Sequence, residues 1–178
     1  MTNVLRRYAT VLAAGFAILW LTDRMASAEI RLPNLLSDHA VLQRESPIHL
    51  WGWATPGAKL TIHFHDQRTS TTADEFGQWT TWLSPEHAGG PYVLEIDGGE
   101  QEGKRELADL MVGDVWIASG QSNMEFEMRK ASTAAADLPK ASNPRIRLMM
   151  VDKVYTEYPR ADLDATSWTA STPESAAQ

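Results

Sequence analysis

The residues best placed to do chemistry stand together near position 120. Val115, Trp116, Ile117 and Ala118 form an apolar run of strand length between Gly113 and Gly120, and Ser122 follows shortly after. The pattern predicts a short buried strand that runs into a tight, small-residue turn with a serine at its tip. A serine just past such a strand projects from the carboxyl end of the sheet, where open α/β sheets keep their chemistry. Gly120 permits the tight backbone path because it has no Cβ. The chemistry on offer is nucleophilic attack by the Ser122 hydroxyl. An ordinary strand and turn fit the same spacing, since Gly-x-Ser alone is short and common.

A serine hydroxyl is a weak nucleophile and needs a general base, usually histidine, together with preorganised donors for the oxyanion. All five histidines (His39, His49, His63, His65 and His87) precede Ser122. Glu125 and Glu127 lie close to it, but without a paired acid they read as the acidic bias of a helix start rather than as general acids. His63 and His65 could share a strand face as a metal pair, yet two ligands without a third make a poor site, and no metal is expected. Trp51 and Trp53 could form a sugar-stacking platform or simply pack. Met124, Met128, Met149 and Met150 read as core filling.

The elements that would position Ser122 are mostly strands. Short β-rich runs recur at 40–44, 48–53, 59–65, 78–83 and 92–96, separated by Ser46-Pro47, Thr55-Pro56-Gly57, Ser84-Pro85 and Gly89-Gly90-Pro91. That rhythm predicts a β-sandwich over 29–110. Leu60, Ile62 and Phe64 alternate with Thr61, His63 and His65, giving one buried and one wet face. Trp79, Trp82 and Tyr92 are candidate core aromatics. Residues 97–106 read as a polar loop, and 107–111 lead into the serine-bearing strand. An Ala-rich helix is expected over 125–141, bent or ended by Pro139. A further strand is expected at 146–151, and the tail from 155 is polar without a clear period.

The first 28 residues read as a secretory signal peptide. Arg6 and Arg7 supply the positive start, 11–21 is the apolar run, and Ala26-Ser27-Ala28 is a small-residue cleavage site before Glu29. The run is too short for a membrane span of about 20 residues. The expected product is therefore exported, periplasmic or secreted, with no membrane attachment after cleavage. Removing Arg6, Arg7, Arg24 and Asp23 takes the formal charge from −7 to −9. That acidic balance argues against a nucleic-acid partner. There is no cysteine, which fits a periplasmic protein better than a disulfide-stapled module.

The string Gly113-Asp114-Val115-Trp116-Ile117-Ala118-Ser119-Gly120-Gln121-Ser122-Asn123-Met124 closely resembles the first catalytic block of the sialate O-acetylesterases, a branch of the SGNH hydrolases. Asp114 stands where that family usually has Glu. Leu35-Leu36-Ser37-Asp38-His39-Ala40-Val41-Leu42-Gln43-Arg44 is similar to the family's opening segment, and Trp51-Gly52-Trp53-Ala54-Thr55-Pro56-Gly57 to one of its turns. Asn143-Pro144-Arg145-Ile146-Arg147-Leu148 and Trp168 also fall where the family would put them.

The resemblance implies a serine esterase acting on O-acetylated sialic acid or a related sugar, with Ser122 as nucleophile, its backbone N–H as an oxyanion donor, and no metal or organic cofactor. It also implies a β-sandwich at 29–110 followed, over 111–178, by the start of a flavodoxin-like α/β hydrolase domain, so that the chain is mainly β. A doubly wound domain takes roughly 150 residues, so residues 111–178 are expected to be its truncated front. The family's general-base histidine and its aspartate belong to a downstream Asp-x-x-His block that has no counterpart here, and the chain is expected to be inactive alone. Two other readings stay open. One is a non-catalytic sandwich that binds glycan or docks on a partner. The other is an esterase for acetylated plant polysaccharide.

Overall fold

A computed structural model describes residues 29–165 and 167–177; the expected signal peptide, 1–28, lies outside them. Seven strands come first: β1 (Val41–Gln43), β2 (Ile48–Trp53), β3 (Lys59–Phe64), β4 (Gln67–Thr72), β5 (Gln78–Leu83), β6 (Gly89–Asp97) and β7 (Lys104–Gly113), with one turn of helix, α1 (Gly99–Glu102), between the last two. Five form a mixed sheet in the order β1-β7-β6-β3-β4, in which β1 runs parallel to β7 and the other pairs are antiparallel. β2 and β5 form a separate antiparallel pair.

Period-two alternation decides what each strand buries. Leu60, Ile62 and Phe64 of β3 and Leu94 and Ile96 of β6 point into one core, and so do Leu107, Leu110 and Val112 of β7, where an irregularity at Asp109 (φ 55°) resets the alternation between Leu107 and Leu110. Ile48 and Leu50 of β2 and Trp79 and Leu83 of β5 enter the same core from the other pair. The two sets of strands meet at β4, where Thr71 Oγ1 donates to the Thr80 carbonyl at 2.8 Å. The unit is therefore mainly β, on a mixed sheet that curls towards β2 and β5. Gly52 is required at the seam. A Cβ there would sit 2.3 Å from the Arg31 carbonyl and 2.9 Å from the Trp79 ring, so only glycine lets the Arg31–Trp53 bridge close.

Several expectations shift. The strand β4 has no apolar residue to betray it; its threonines fit a pleated surface, and the tight turn at His65 (φ 50°) and Asp66 folds it back on β3. Trp79 is buried as expected, but Trp82 is exposed. His65 breaks the alternation, so it leaves the face of His63 for Glu86 and the Tyr92 ring. β7 runs straight through 110, the expected domain boundary.

Beyond β7 the chain is held in short pieces. Single 3₁₀ turns at Ser122–Glu125, Met128–Lys130 and Leu138–Lys140 flank α2 (Ala134–Asp137). The helix expected over 125–141 is broken into pieces: Ser132 and Thr133 separate the good formers at 127–131 from those at 134–136, and Pro139 interrupts beyond them. β8 (Asn143–Leu148), shifted from the expected 146–151, pairs with β9 (Thr169–Ser171). Thr172 caps α3 (Pro173–Ala176) reciprocally with Ser175. The polar tail is fastened to the β unit. Trp168 is buried and donates its Nε1–H to the Leu35 carbonyl at 3.0 Å, and Asn34 binds Asp162 and the Leu163 carbonyl.

Candidate active site

The segment that carries Ser122 is anchored at its base. Arg44 N–H donates to the Gly113 carbonyl at 2.9 Å, the Arg44 side chain pairs with Asp114 at 2.8 Å, and Val115 N–H donates to Gln43 Oε1 at 2.9 Å. Asp114 thus keeps an ion pair although it is one methylene shorter than Glu, and that pairing pushes the Arg44 guanidinium further up from its already high value. Here the structure corrects the sequence reading. No strand forms over 115–118, and Trp116 and Ile117 are 89% and 90% exposed. The reason is pairing: β1 stops opposite Gly113, and no strand among the described residues continues beside 115–118. An apolar run without ladder partners has no cause to be extended and buried.

Ser122 opens its 3₁₀ turn and is exposed. Gln121 accepts from Met124 N–H at 2.8 Å to close the turn. As the first residue of the turn, Ser122 has an N–H that no acceptor within the turn can claim. Gly120 makes room for the fold-back, since a Cβ there would meet Met124 Cγ at 2.7 Å. The acidic neighbours are both paired with cations. Glu125 binds Lys153, and Glu127 binds Arg129 and Lys130. Lys130 first, and Arg129 after it, hold the Glu127 carboxyl below the usual carboxylate range, which is the opposite of what a general acid requires.

The histidines find partners elsewhere. His39 Nδ1 lies 2.7 Å from Asp109 Oδ2, and His49 Nε2 lies 2.7 Å from Thr80 Oγ1 with its ring stacked on Trp51 and Trp82. His65 faces Glu86 and Asp66, and His87 faces Glu45. His63 sits in β3 opposite Arg68 and Glu95. None of these partners belongs to the Ser122 turn. Among the described residues, no group of three or more His, Asp or Glu could hold a metal ion.

Sequence reasoning missed one charge cluster, built around a buried arginine and two partly exposed partners. Asp109 (φ 55°) and His39 (φ 67°) both adopt left-handed backbone, which Asp and His tolerate better than most residues. Their pairing brings the Asp109 carboxylate to Arg147 NH2 at 2.8 Å, and the Arg147 side chain is 4% exposed. The His39 hydrogen bond first, then the charge of Arg147, pull the Asp109 carboxyl below its usual range. Arg147 also donates to the Pro144 carbonyl. This cluster joins the approach to β1, the middle of β7 and the end of β8. No local motif announces it, because its members are far apart in sequence.

Comparison with known proteins places these features. No family model matches the chain. The sialate O-acetylesterase of Homo sapiens is 29% identical over 168 residues, which is 89% of this chain and 32% of that protein. The enzyme of the same name from Pongo abelii is 31% identical over 169 residues, with the same coverage. A crystal structure of a carbohydrate acetylesterase from Xanthomonas citri is 40% identical, with a TM-score of 0.80, over 83% of this chain and 34% of that one. Over most of its length the chain is a partial match to the sialate O-acetylesterases and to a carbohydrate acetylesterase. It spans about a third of the length of these relatives. The mainly β architecture is similar to that of the matching part of the Xanthomonas protein, and the relatives themselves are named as acetylesterases of sialate or of carbohydrate.

Proposed function

We propose that this chain carries the nucleophile segment of a serine esterase that removes O-acetyl groups from sialic acid or a related acetylated sugar. The observation that supports this most is the string from Gly113 to Met124, which sets Ser122 exposed at the head of a turn in a chain related to acetylesterases. In this reading Ser122 Oγ attacks the acetyl carbonyl, the sugar hydroxyl leaves, and water hydrolyses the acetyl-enzyme. The Ser122 N–H is one oxyanion donor. Residues 111–178 are then the front of an SGNH-type α/β domain following a β-sandwich at 29–110, exported after cleavage before Glu29, and no metal or organic cofactor takes part.

The general base, an aspartate-oriented histidine, is proposed to come from sequence outside these 178 residues. Two features support that: every histidine here precedes Ser122, and those with partners engage groups remote from its turn. The alternative of a non-catalytic glycan-binding module draws on the same observation. An acetate-release assay on 9-O-acetylated sialic acid separates them. The 178-residue chain is expected to be inactive, and the same chain extended with a downstream Asp-x-x-His block is expected to gain activity that Ser122→Ala removes. An extended chain whose activity Ser122→Ala leaves unchanged would sink the assignment. Activity of the short chain, lost in Ser122→Ala, would keep the esterase but remove the need for an outside base.

A further inference from the structure

A cavity of about 380 Å³ lies between the β unit and the 151–164 loop, and none of residues 113–126 lines it. Pro33, Leu35 and Trp51 form its apolar side; Asp152, Arg160 and Asp162 are among the polar groups opposite. The loop is held in place from both sides. Asp152 N–H donates to the Asp164 carbonyl at 2.8 Å, while Asn34 donates its backbone N–H to Asp162 Oδ1 at 2.9 Å and its side-chain amide to the Leu163 carbonyl at 2.8 Å. One face of the Trp51 indole is covered by the His49 ring, 4.9 Å away, so the ring is fixed where it borders the cavity.

The charges in the cavity are unequal. Arg160 is satisfied by Asp164. Asp162 accepts two backbone N–H groups and feels the Arg160 charge without pairing with it, and the Asp152 carboxylate has no partner among the described residues. The site therefore offers a fixed aromatic wall, an apolar floor and carboxylate acceptors in excess of cations. A sugar ring matches that division, because its C–H face packs on an aromatic surface while its hydroxyls donate to carboxylates. A carboxylated sugar does not match it, since its anion would meet uncompensated negative charge. We propose that this cavity binds a neutral saccharide. Lys153, between two lining residues, pairs with Glu125 of the Ser122 turn, so the loop that would hold the sugar also grips the nucleophile segment.

The proposal leans on the acetyl-sugar reading for its ligand class. Its test involves no hydrolysis, so it can fail while that reading stands, and the reverse. Titration of the full chain by calorimetry would use lacto-N-tetraose, its sialylated form and cellotetraose as probes. At least one neutral tetrasaccharide is expected to bind with a dissociation constant on the order of 1 mM. Trp51→Ala should weaken that binding roughly tenfold, Trp51→Phe much less, and Asp152→Asn by roughly threefold or more. The sialylated form should bind more weakly than lacto-N-tetraose, and Asp152→Asn should narrow the gap. Should Trp51→Ala fail to fold, as judged by near-ultraviolet circular dichroism, Trp51→Phe and Asp152→Asn carry the test. No saturable binding of either neutral sugar up to about 20 mM, tighter binding of the sialylated form, or indifference to both Asp152→Asn and the Trp51 changes would overturn the proposal.

Discussion

Ile62 and Ile117 are the same residue in two different situations. Ile62 sits in the middle of β3, with β4 on one side and β6 on the other, and its side chain is fully buried against both sheets. Ile117 lies in an apolar run at least as hydrophobic as β3, but no strand among the described residues flanks it and it is almost wholly exposed. The difference extends to the regions around them. From 29 to 112 strands satisfy one another through ladders and a shared core. From 113 onward the chain is fastened at discrete points: Arg44 to Asp114, Arg147 to Asp109, Asn34 to Asp162, and Trp168 to Leu35. Hydrophobicity alone does not make a strand; a partner for its backbone does.

The largest effect that would break this comparison is in the core. Ile62→Ala removes buried methyl groups from a site that cannot collapse without moving two neighbouring strands, and should lower unfolding stability by about 2–4 kcal/mol. A denaturant titration measures this, and a loss under about 1 kcal/mol would mean that the core is less tightly packed than its burial implies. Next in size is the strongest of the fasteners. Arg147→Met keeps the bulk of a nearly buried side chain but removes the cation from Asp109. We expect a loss of about 1–2 kcal/mol, because a charge-assisted hydrogen bond is given up while His39 still serves the carboxylate. The same pair has a pH signature. The folded Asp109 carboxyl lies below its usual range, so its contribution is present above the ordinary value, near pH 4, and fades as pH falls through the lower folded value. Between pH 6 and 3 the native chain should therefore lose more stability than Asp109→Asn does.

Most of the β unit could be read from the sequence, because its alternation is strong and its turns are marked by proline and glycine. The bounds of β2 and β5 matched residue for residue. What escaped was β4, whose threonines and polar residues bury little, and the polar tail, whose few buried groups act over long range. Trp168 was noticed only for its resemblance to a family, and Arg147 only for that and as one residue of an expected strand. Their partners, Leu35 and Asp109, lie far back along the chain, and no local pattern points to such pairs. At the site, the turn at Ser122 was legible because Gly120 and Gln121 dictate it locally. The strand before it was misread for the opposite reason: its hydrophobic pattern presumes neighbours that the described residues do not provide.

The smallest expected effect is therefore the most informative about that strand. Replacing both Trp116 and Ile117 with serine should leave the unfolding free energy of this chain within about 0.5 kcal/mol of the original, as for other exposed positions. The same change in an equivalent buried strand, at Leu94 and Ile96 for instance, would unfold the protein. If the double replacement proves strongly destabilising, then 115–118 is covered in solution, either by its own chain or by a second copy, and the exposure described here is not its resting state. If it is silent in this chain but destabilising once a downstream segment is attached, the apolar run is a strand whose partners arrive with that segment. The contrast between Ile62 and Ile117 would then be one of order of assembly, with the first region folding on its own contacts and the second waiting for a sheet to join.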